Sequence, residues 1–223
     1  MKKFIYLTIS IINMAVSAVC VALLPNEIVP SHYNLQGVAD AYSSKWTLMI
    51  IPCILILFSI IYMIYQAVSK KSKNFEENKK YVERGIFAIY LLLIAMCWIA
   101  TIPNFTGMAS LGNILPLCML VFFGALMIFL SNMYPKIKQN SNFGIKTPAT
   151  LSSETVWKKT HKLGGYLGVI SGIFSIVLAI AGFIFNADGI IIFLTGIGVF
   201  LVFGVIVPVI YASVIRAKEK KCQ

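Results

Sequence analysis

The sequence predicts an all-α protein: a polytopic membrane bundle of six transmembrane helices, N-in and C-in, with a short interfacial cytoplasmic helix before the fifth span. Three observations carry this. Of 223 residues, 59% are hydrophobic and 12% charged, whereas soluble domains are about half apolar and about a quarter charged. The apolar residues gather in long uninterrupted runs. The basic residues gather between alternate runs.

The runs are residues 4–24, 46–67, 85–101, 111–131, 164–186 and 189–215, and none contains a charged side chain. A helix needs about 20 apolar residues, roughly 17–25, to cross the hydrocarbon. Ala187 and Asp188 interrupt the last long stretch, so a tight hairpin is expected at 186–188. The first run follows Lys2 and Lys3, as a signal peptide would. It is longer than the roughly 7–15 residues of a cleavable apolar region, and Val19 is a poor residue for a cleavage site, so an uncleaved signal-anchor span is expected.

Eighteen of the nineteen Lys and Arg residues fall before the first run, between the second and third, between the fourth and fifth, or after the sixth; the exception is Lys45. Basic residues in short loops stay in the cytoplasm. Both termini and the two basic loops are therefore expected inside. Tyr33, Tyr42, Trp46 and Trp98 then fall near the outer interface, and Tyr6, Tyr65, Tyr134, Trp157 and Tyr211 near the inner one, the levels that amphipathic rings prefer. The net charge of +11 is accounted for by orientation and by membrane lipid, and no direct nucleic-acid binding is expected.

The spans contain no Asp, Glu, Lys, Arg or His. Intramembrane charges usually mark ion or proton pathways, so their absence weighs against a proton-coupled transporter. No His-Glu-x-x-His is present, and His161 and Ser171 are ten residues apart, about 15 Å along a helix, which excludes a dyad on one turn. No enzyme, cofactor or metal site is expected. Four of the five cysteines lie in apolar runs, and Cys222 lies near the end of the chain; no disulfide framework is read from them. Gly164, Gly168 and Gly172, with Ser171, Ser175 and Ala179, repeat at four-residue spacing, which lets helix backbones approach closely. The fifth helix is therefore expected to be central to the bundle or to form a homodimer seam. Asn13, Gln66 and Asn113 are candidates for interhelical hydrogen bonds, and Pro116 and Pro208 for kinks.

Two regions are proposed: 1–84, a two-span hairpin with an outer polar loop, and 85–223, four spans with a cytoplasmic loop at 132–163. The outer loop, 24–40, is stiffened by Pro25 and Pro30. Gly37 can supply a positive-φ turn. His32, Asn34 and Asp40 bring donors and acceptors together, either as a recognition surface or as groups satisfying their own backbone. In the inner loop, 140–150 is turn-rich, with Gly144 and Pro148 as punctuation. From about Ser152 it turns helical, with Thr150, Ser152 or Ser153 as N-cap and Glu154 in the first turn. Trp157 and His161, four apart, share a face. This segment either anchors the fifth span, with Trp157 in the aromatic belt, or docks a partner. The stretch 70–84 reads as a solvated, partly helical connector.

Pro30-Ser31-His32-Tyr33-Asn34, then Gly37, Asp40, Ser44-Lys45 and Pro52, resembles a small membrane domain of unknown function that often precedes an SdpI-type domain. Tyr134-Pro135-Lys136, Asn140, Asn142-Phe143-Gly144, Lys146-Thr147-Pro148, Thr150-Leu151-Ser152, Val156-Trp157 and His161 resemble the SdpI immunity-protein family itself. Lys146 stands where that family usually has Arg, whose planar fork Lys does not reproduce, and Ala149 stands where an aromatic is common. The resemblance implies a protein of the bacterial cytoplasmic membrane that protects its host from a secreted peptide toxin. It also implies a cytoplasmic repressor as a partner drawn to the membrane. On that reading His32, Asn34, Gly37 and Asp40 face the toxin, and Asn140, Asn142, Gly144, Lys146, Thr147, Pro148, Trp157 and His161 face the inner partner. A small membrane transporter or exporter of peptide or lipid is the alternative.

Overall fold

The structure is a computed structural model; it describes residues 4–34, 39–69, 74–106 and 114–221. Among these, six helical segments are long and apolar enough to cross a membrane: Ile5–Ala22, Lys45–Val68, Phe75–Phe105, Ile114–Lys136, Glu154–Ile184 and Gly189–Lys221. Inside lipid every backbone N–H and C=O must find a partner within the protein, and a helix does this segment by segment. The chain divides into two compact units.

Unit one comprises Met1–Val68 and Ile89–Asn113. Its elements are α1 (Ile5–Ala22), strands β1 (Ile28–Tyr33) and β2 (Ala39–Ser44), a 3-10 turn at Lys45–Met49, α2 (Ile50–Val68), the second half of α3 (Phe75–Thr101) and the short α4 (Pro103–Thr106). Helix α1 is patterned inside-out relative to a helix in water. It buries Ser10, Asn13 and Ser17, while Ile12 and Val19 are 58% and 60% exposed. Hydrocarbon is as apolar as isoleucine, so nothing drives apolar side chains inward, and small polar residues hold the helices together instead. Ser10 Oγ bonds the Ser59 hydroxyl at 2.9 Å and also the Tyr90 hydroxyl, and Tyr90 donates to the Tyr6 carbonyl at 2.5 Å. One level along, the Trp98 indole N–H donates to Asn13 Oδ1 at 3.1 Å, and Asn13 Nδ2 lies 3.9 Å from Cys97 Sγ. Asn13 thus makes the interhelical contact expected of it. Gln66 does not: its amide donates to Tyr62 one turn back on its own helix, at 2.7 Å. Asn113 lies outside the described residues.

The polar loop of unit one is an antiparallel β-hairpin, with Ile28 opposite Ser44 and Pro30 opposite Tyr42. Its two strands are both edges, where a proline's missing N–H costs no ladder bond. A free two-stranded hairpin is marginal in water, and this one is pinned by Lys45. That side chain is 7% exposed, and its ammonium donates to the carbonyls of Ala22 and Leu24, both at 3.3 Å, and to Glu27 Oε1 at 2.9 Å. Three donors meet three acceptors, which completes the ammonium's capacity. The one basic residue outside the topology pattern is a structural staple.

Unit two comprises Ser69–Ala88 and Ile114–Gln223. It holds the first half of α3, α5 (Ile114–Ser131), a 3-10 turn at Tyr134–Lys136, α6 (Pro148–Ser152), α7 (Glu154–Ile184), α8 (Gly189–Phe200), a π-helical turn at Leu201–Ile206 and α9 (Val207–Lys221). Helix α7 is the hub. It buries Gly164, Gly165, Gly168, Ser171, Gly172, Ser175, Ala179 and Gly182 and exposes Ile170 and Val177 at 62% and 58%. A Cβ on Gly172 would fall 2.7 Å from the Gly124 carbonyl oxygen of α5, so the two backbones touch directly. The expected turn at 186–188 is present: Asn186 has a φ of 47°, and the Asp188 carboxylate accepts from the N–H groups of Ile190 and Ile191 as N-cap of α8. The π turn directly precedes the buried Pro208; such turns re-route a helix where the regular bond ladder is broken. Pro116 sits within the first described turn of α5.

Candidate functional site

Unit two carries a compact polar knot between α5 and α7, built from residues 137–161. Leaving the Tyr134–Lys136 turn, the chain buries Ile137, whose carbonyl accepts the Trp157 indole N–H at 2.8 Å. Asn140 then organises a tight turn alone. Its Oδ1 accepts from the backbone N–H groups of Asn142 and Phe143 at 2.8 and 2.7 Å, and its Nδ2 donates to the carbonyls of Lys138 and Phe143 at 2.8 and 3.1 Å. An amide has two acceptor sites and two donors, and all four are used.

Gly144 follows with a φ of +119°. A side chain there would strike His161 Nε2 and lie 3.2 Å from two carbons of the Trp157 ring. The absence of a Cβ lets the loop pass across the two rings and deliver the Ile145 N–H to His161 Nε2 at 2.9 Å. The other imidazole nitrogen, Nδ1, bonds the Trp157 carbonyl at 2.9 Å. These contacts assign the tautomer: Nδ1 carries the hydrogen and Nε2 accepts. Both nitrogens are committed to backbone, and the ring stacks on Trp157 with centroids 4.0 Å apart. Trp157 and His161 are 0% and 1% exposed.

Beyond Gly144, Thr147 and Thr150 cap α6 reciprocally. Thr147 Oγ1 accepts the Thr150 N–H at 3.1 Å, and Thr150 Oγ1 accepts the Thr147 N–H at 2.9 Å. This is a capping box with threonine in place of the usual acidic or amide residue. Pro148 occupies the helix's first turn, where its fixed φ suits the geometry. Gln139 ties the ends of the loop together, its amide donating to the carbonyls of Thr150 and Leu151 at 2.8 and 3.0 Å. Ser153 is the N-cap of α7, accepting the Val156 N–H, and its hydroxyl donates to Glu219 Oε1 of α9 at 3.0 Å. The knot rests on glycines of α7: a Cβ on Gly164 would meet Ile145 Cδ1 at 2.5 Å, and one on Gly165 would meet Pro135 at 2.9 Å.

The start of α3 clamps the knot from the side. Asn78, 3% exposed, accepts the Lys138 N–H at 2.8 Å and donates to the Lys138 carbonyl at 2.9 Å. Asn74 donates to the Gln139 carbonyl at 2.9 Å, and Glu77 pairs with the Lys138 ammonium at 2.8 Å. The 74–84 stretch is the solvated, partly helical connector that its mixed charges predict, and through Asn78 it is also a structural partner of the inner loop; residues 70–73 lie outside the described residues.

In unit one, the hairpin brings His32 and Asp40 together: Nδ1 lies 2.6 Å from Oδ1, with both side chains open to solvent at 68% and 43% exposure. Ser31 and Ser43 bridge the strands nearby at 2.9 Å. Asn34 follows β1 and is partly buried; Gly37 lies outside the described residues.

Comparison with known proteins bears on both places. Residues 136–214 match the SdpI/YfhL protein family, and residues 8–56 match a domain of unknown function, DUF1648. The chain carries an SdpI-family domain. It is also similar to "Immunity protein SdpI" of Bacillus subtilis (strain 168), with 26% identity over 182 residues, covering 80% of this chain and 81% of that protein. No solved structure matches the chain. The SdpI-family region opens at Lys136, where the knot begins, and runs through α7 into α9; the DUF1648 region contains the whole hairpin.

Of the inner residues singled out in the SdpI-type motif, Asn140, Gly144, Trp157 and His161 meet in the knot as its internal frame. Trp157 is enclosed by protein instead of sitting in the aromatic belt. Lys146 is exposed and Asn142 half-buried on the loop; the Lys146 ammonium folds back on the Ser141 carbonyl at 3.3 Å, a single contact where arginine would offer a fork. Thr147 and Pro148 start α6, a helix within a stretch that reads as turns. Sequence reasoning missed Gln139, Asn78 and the Ser153–Glu219 tie. The Thr147-x-x-Thr150 spacing was a usable capping signal, whereas nothing local distinguishes Asn78 from a solvated asparagine.

Proposed function

We propose that this SdpI-family membrane protein is a non-enzymatic immunity protein of the bacterial cytoplasmic membrane, giving its host resistance to a secreted peptide toxin. The observation that carries the reading is the similarity to an immunity protein across four-fifths of both chains. The hairpin fits a toxin-facing role: its ladder presents an exposed His32–Asp40 pair outside the apolar spans. The knot fits an inner-partner role, because its frame is satisfied internally while Asn142, Lys146 and the lysines of α7 are left at its surface. A cytoplasmic repressor held there would link toxin arrival to transcription, provided toxin binds two arrangements of the protein unequally.

The test is expression in a toxin-sensitive host challenged with candidate secreted peptides. The wild-type protein protects; His32→Ala and Asp40→Ala reach the membrane in equal amount and protect less. Full protection by both variants would remove the hairpin from the toxin site, and no protection by the wild type against any peptide would remove the immunity reading.

A further inference from the structure

Between α6 and α9 lies an open groove of about 570 Å³, walled by Thr147 and Ser152 on one side and by Ser213, Arg216 and Lys220 on the other. We propose that this groove binds the phosphate headgroup of an anionic membrane phospholipid. The groove begins where the last charge-free run ends, since Arg216 is the first charged residue after 189–215. A helix leaving the hydrocarbon there carries its next turn through the headgroup layer. Arg216 and Lys220 are four apart on one helix, so their cationic ends project from the same face about 6 Å apart along the axis.

The acidic group at this place is already engaged. Glu219 holds Arg216 Nη1 at 2.6 Å through one oxygen and takes the Ser153 hydroxyl at 3.0 Å through the other. That pairing fixes the guanidinium plane while leaving other N–H groups of its fork for a phosphate. Among the described residues no carboxylate lies within ion-pair distance of Lys220. Thr147, Ser152 and Ser213 give the rest of the lining a polar edge; their hydroxyls already donate to Thr150, Ala149 and Val209, so the two cations supply the phosphate recognition. An acidic protein segment would need an extended track of cations, whereas this groove offers two, at headgroup depth.

The test uses the full chain, purified in detergent and exposed to phosphatidylglycerol and phosphatidylcholine in equal amounts, with retained lipid counted by native mass spectrometry. The wild type retains phosphatidylglycerol in excess. Arg216→Gln with Lys220→Gln lowers that excess by about fivefold for each charge removed. Ala217→Trp, which fills the groove and keeps both charges, lowers it as well. Lys79→Gln with Lys80→Gln, exposed on α3, leaves it unchanged. An equal loss in that control pair would mean diffuse attraction and overturn the site, as would the absence of any preference in the wild type. Displacement of the lipid by inorganic phosphate would reassign the groove to a free anion, and displacement by an acidic peptide at equal concentration would reassign it to a protein partner; either result overturns the proposal.

Discussion

Gly144→Ala is the sharpest probe of the knot. The residue has a φ of +119°, and holding a residue with a Cβ in so sparsely populated a conformation costs about 1–3 kcal/mol. The methyl group would also collide with His161 Nε2 and press two Trp157 ring carbons at 3.2 Å. Making room pulls the Ile145 N–H off the imidazole, and leaving the buried His161 Nε2 without its donor costs about 1–3 kcal/mol. Together these come to about 2–6 kcal/mol. For a chain of this length that lowers Tm by at least about 4 °C. The chain has three tryptophans, and Trp157 is the one in unit two. In a Trp46→Phe/Trp98→Phe background its fluorescence therefore follows the knot during heating in detergent. Gly198→Ala is the control: a Cβ there meets nothing within 4 Å, and alanine in a helix is favoured over glycine by about 0.5–1 kcal/mol. If Gly144→Ala melts with the wild type or with Gly198→Ala, the glycine is not needed for the loop to cross the Trp157–His161 stack, and the account of the knot fails.

Two further outcomes follow from single contacts. Asn78→Leu removes both bonds to the Lys138 backbone and costs about 2–3 kcal/mol; trypsin then cuts at Lys136 and Lys138 faster than in the wild type, while Asn78→Asp, which keeps the acceptor, falls between. Lys45→Met keeps the buried stem but strips the ammonium from two carbonyls, costing about 1–3 kcal/mol for each left unsatisfied; hydrogen exchange of the 28–44 amides accelerates, and unchanged exchange would mean that the hairpin does not depend on the staple.

The fold was legible because lipid enforces a simple rule. Uncharged runs of the right length must be helices, and the small-residue spacing along Gly164, Gly168 and Gly172 identified the buried face of α7. The Trp157–His161 pairing was legible from helical periodicity, and Ser153 from capping chemistry. The tertiary use of polar residues was not. Lys45 reads as a stray exterior lysine, and only the approach of the Ala22 and Leu24 carbonyls shows that its charge is satisfied. Asn78 reads as one polar residue in a charged connector, and Gln66 reads as interhelical glue although its amide is taken one turn away. Pro148 illustrates the same limit: proline signals a turn or a helix's first residue with equal force, and Thr147 with Thr150 decides between them.

Both proposed faces require the basic loops and the hairpin to lie on opposite sides of a bilayer, and accessibility of single cysteines tests this directly. In a version lacking the native cysteines, Tyr42→Cys on β2 and Ser141→Cys in the knot would be treated in intact cells with a membrane-impermeant maleimide. Tyr42→Cys labels at once, and Ser141→Cys labels only after the membrane is permeabilised. Labelling of Ser141→Cys in intact cells would place the knot outside and contradict the orientation on which both proposed faces depend.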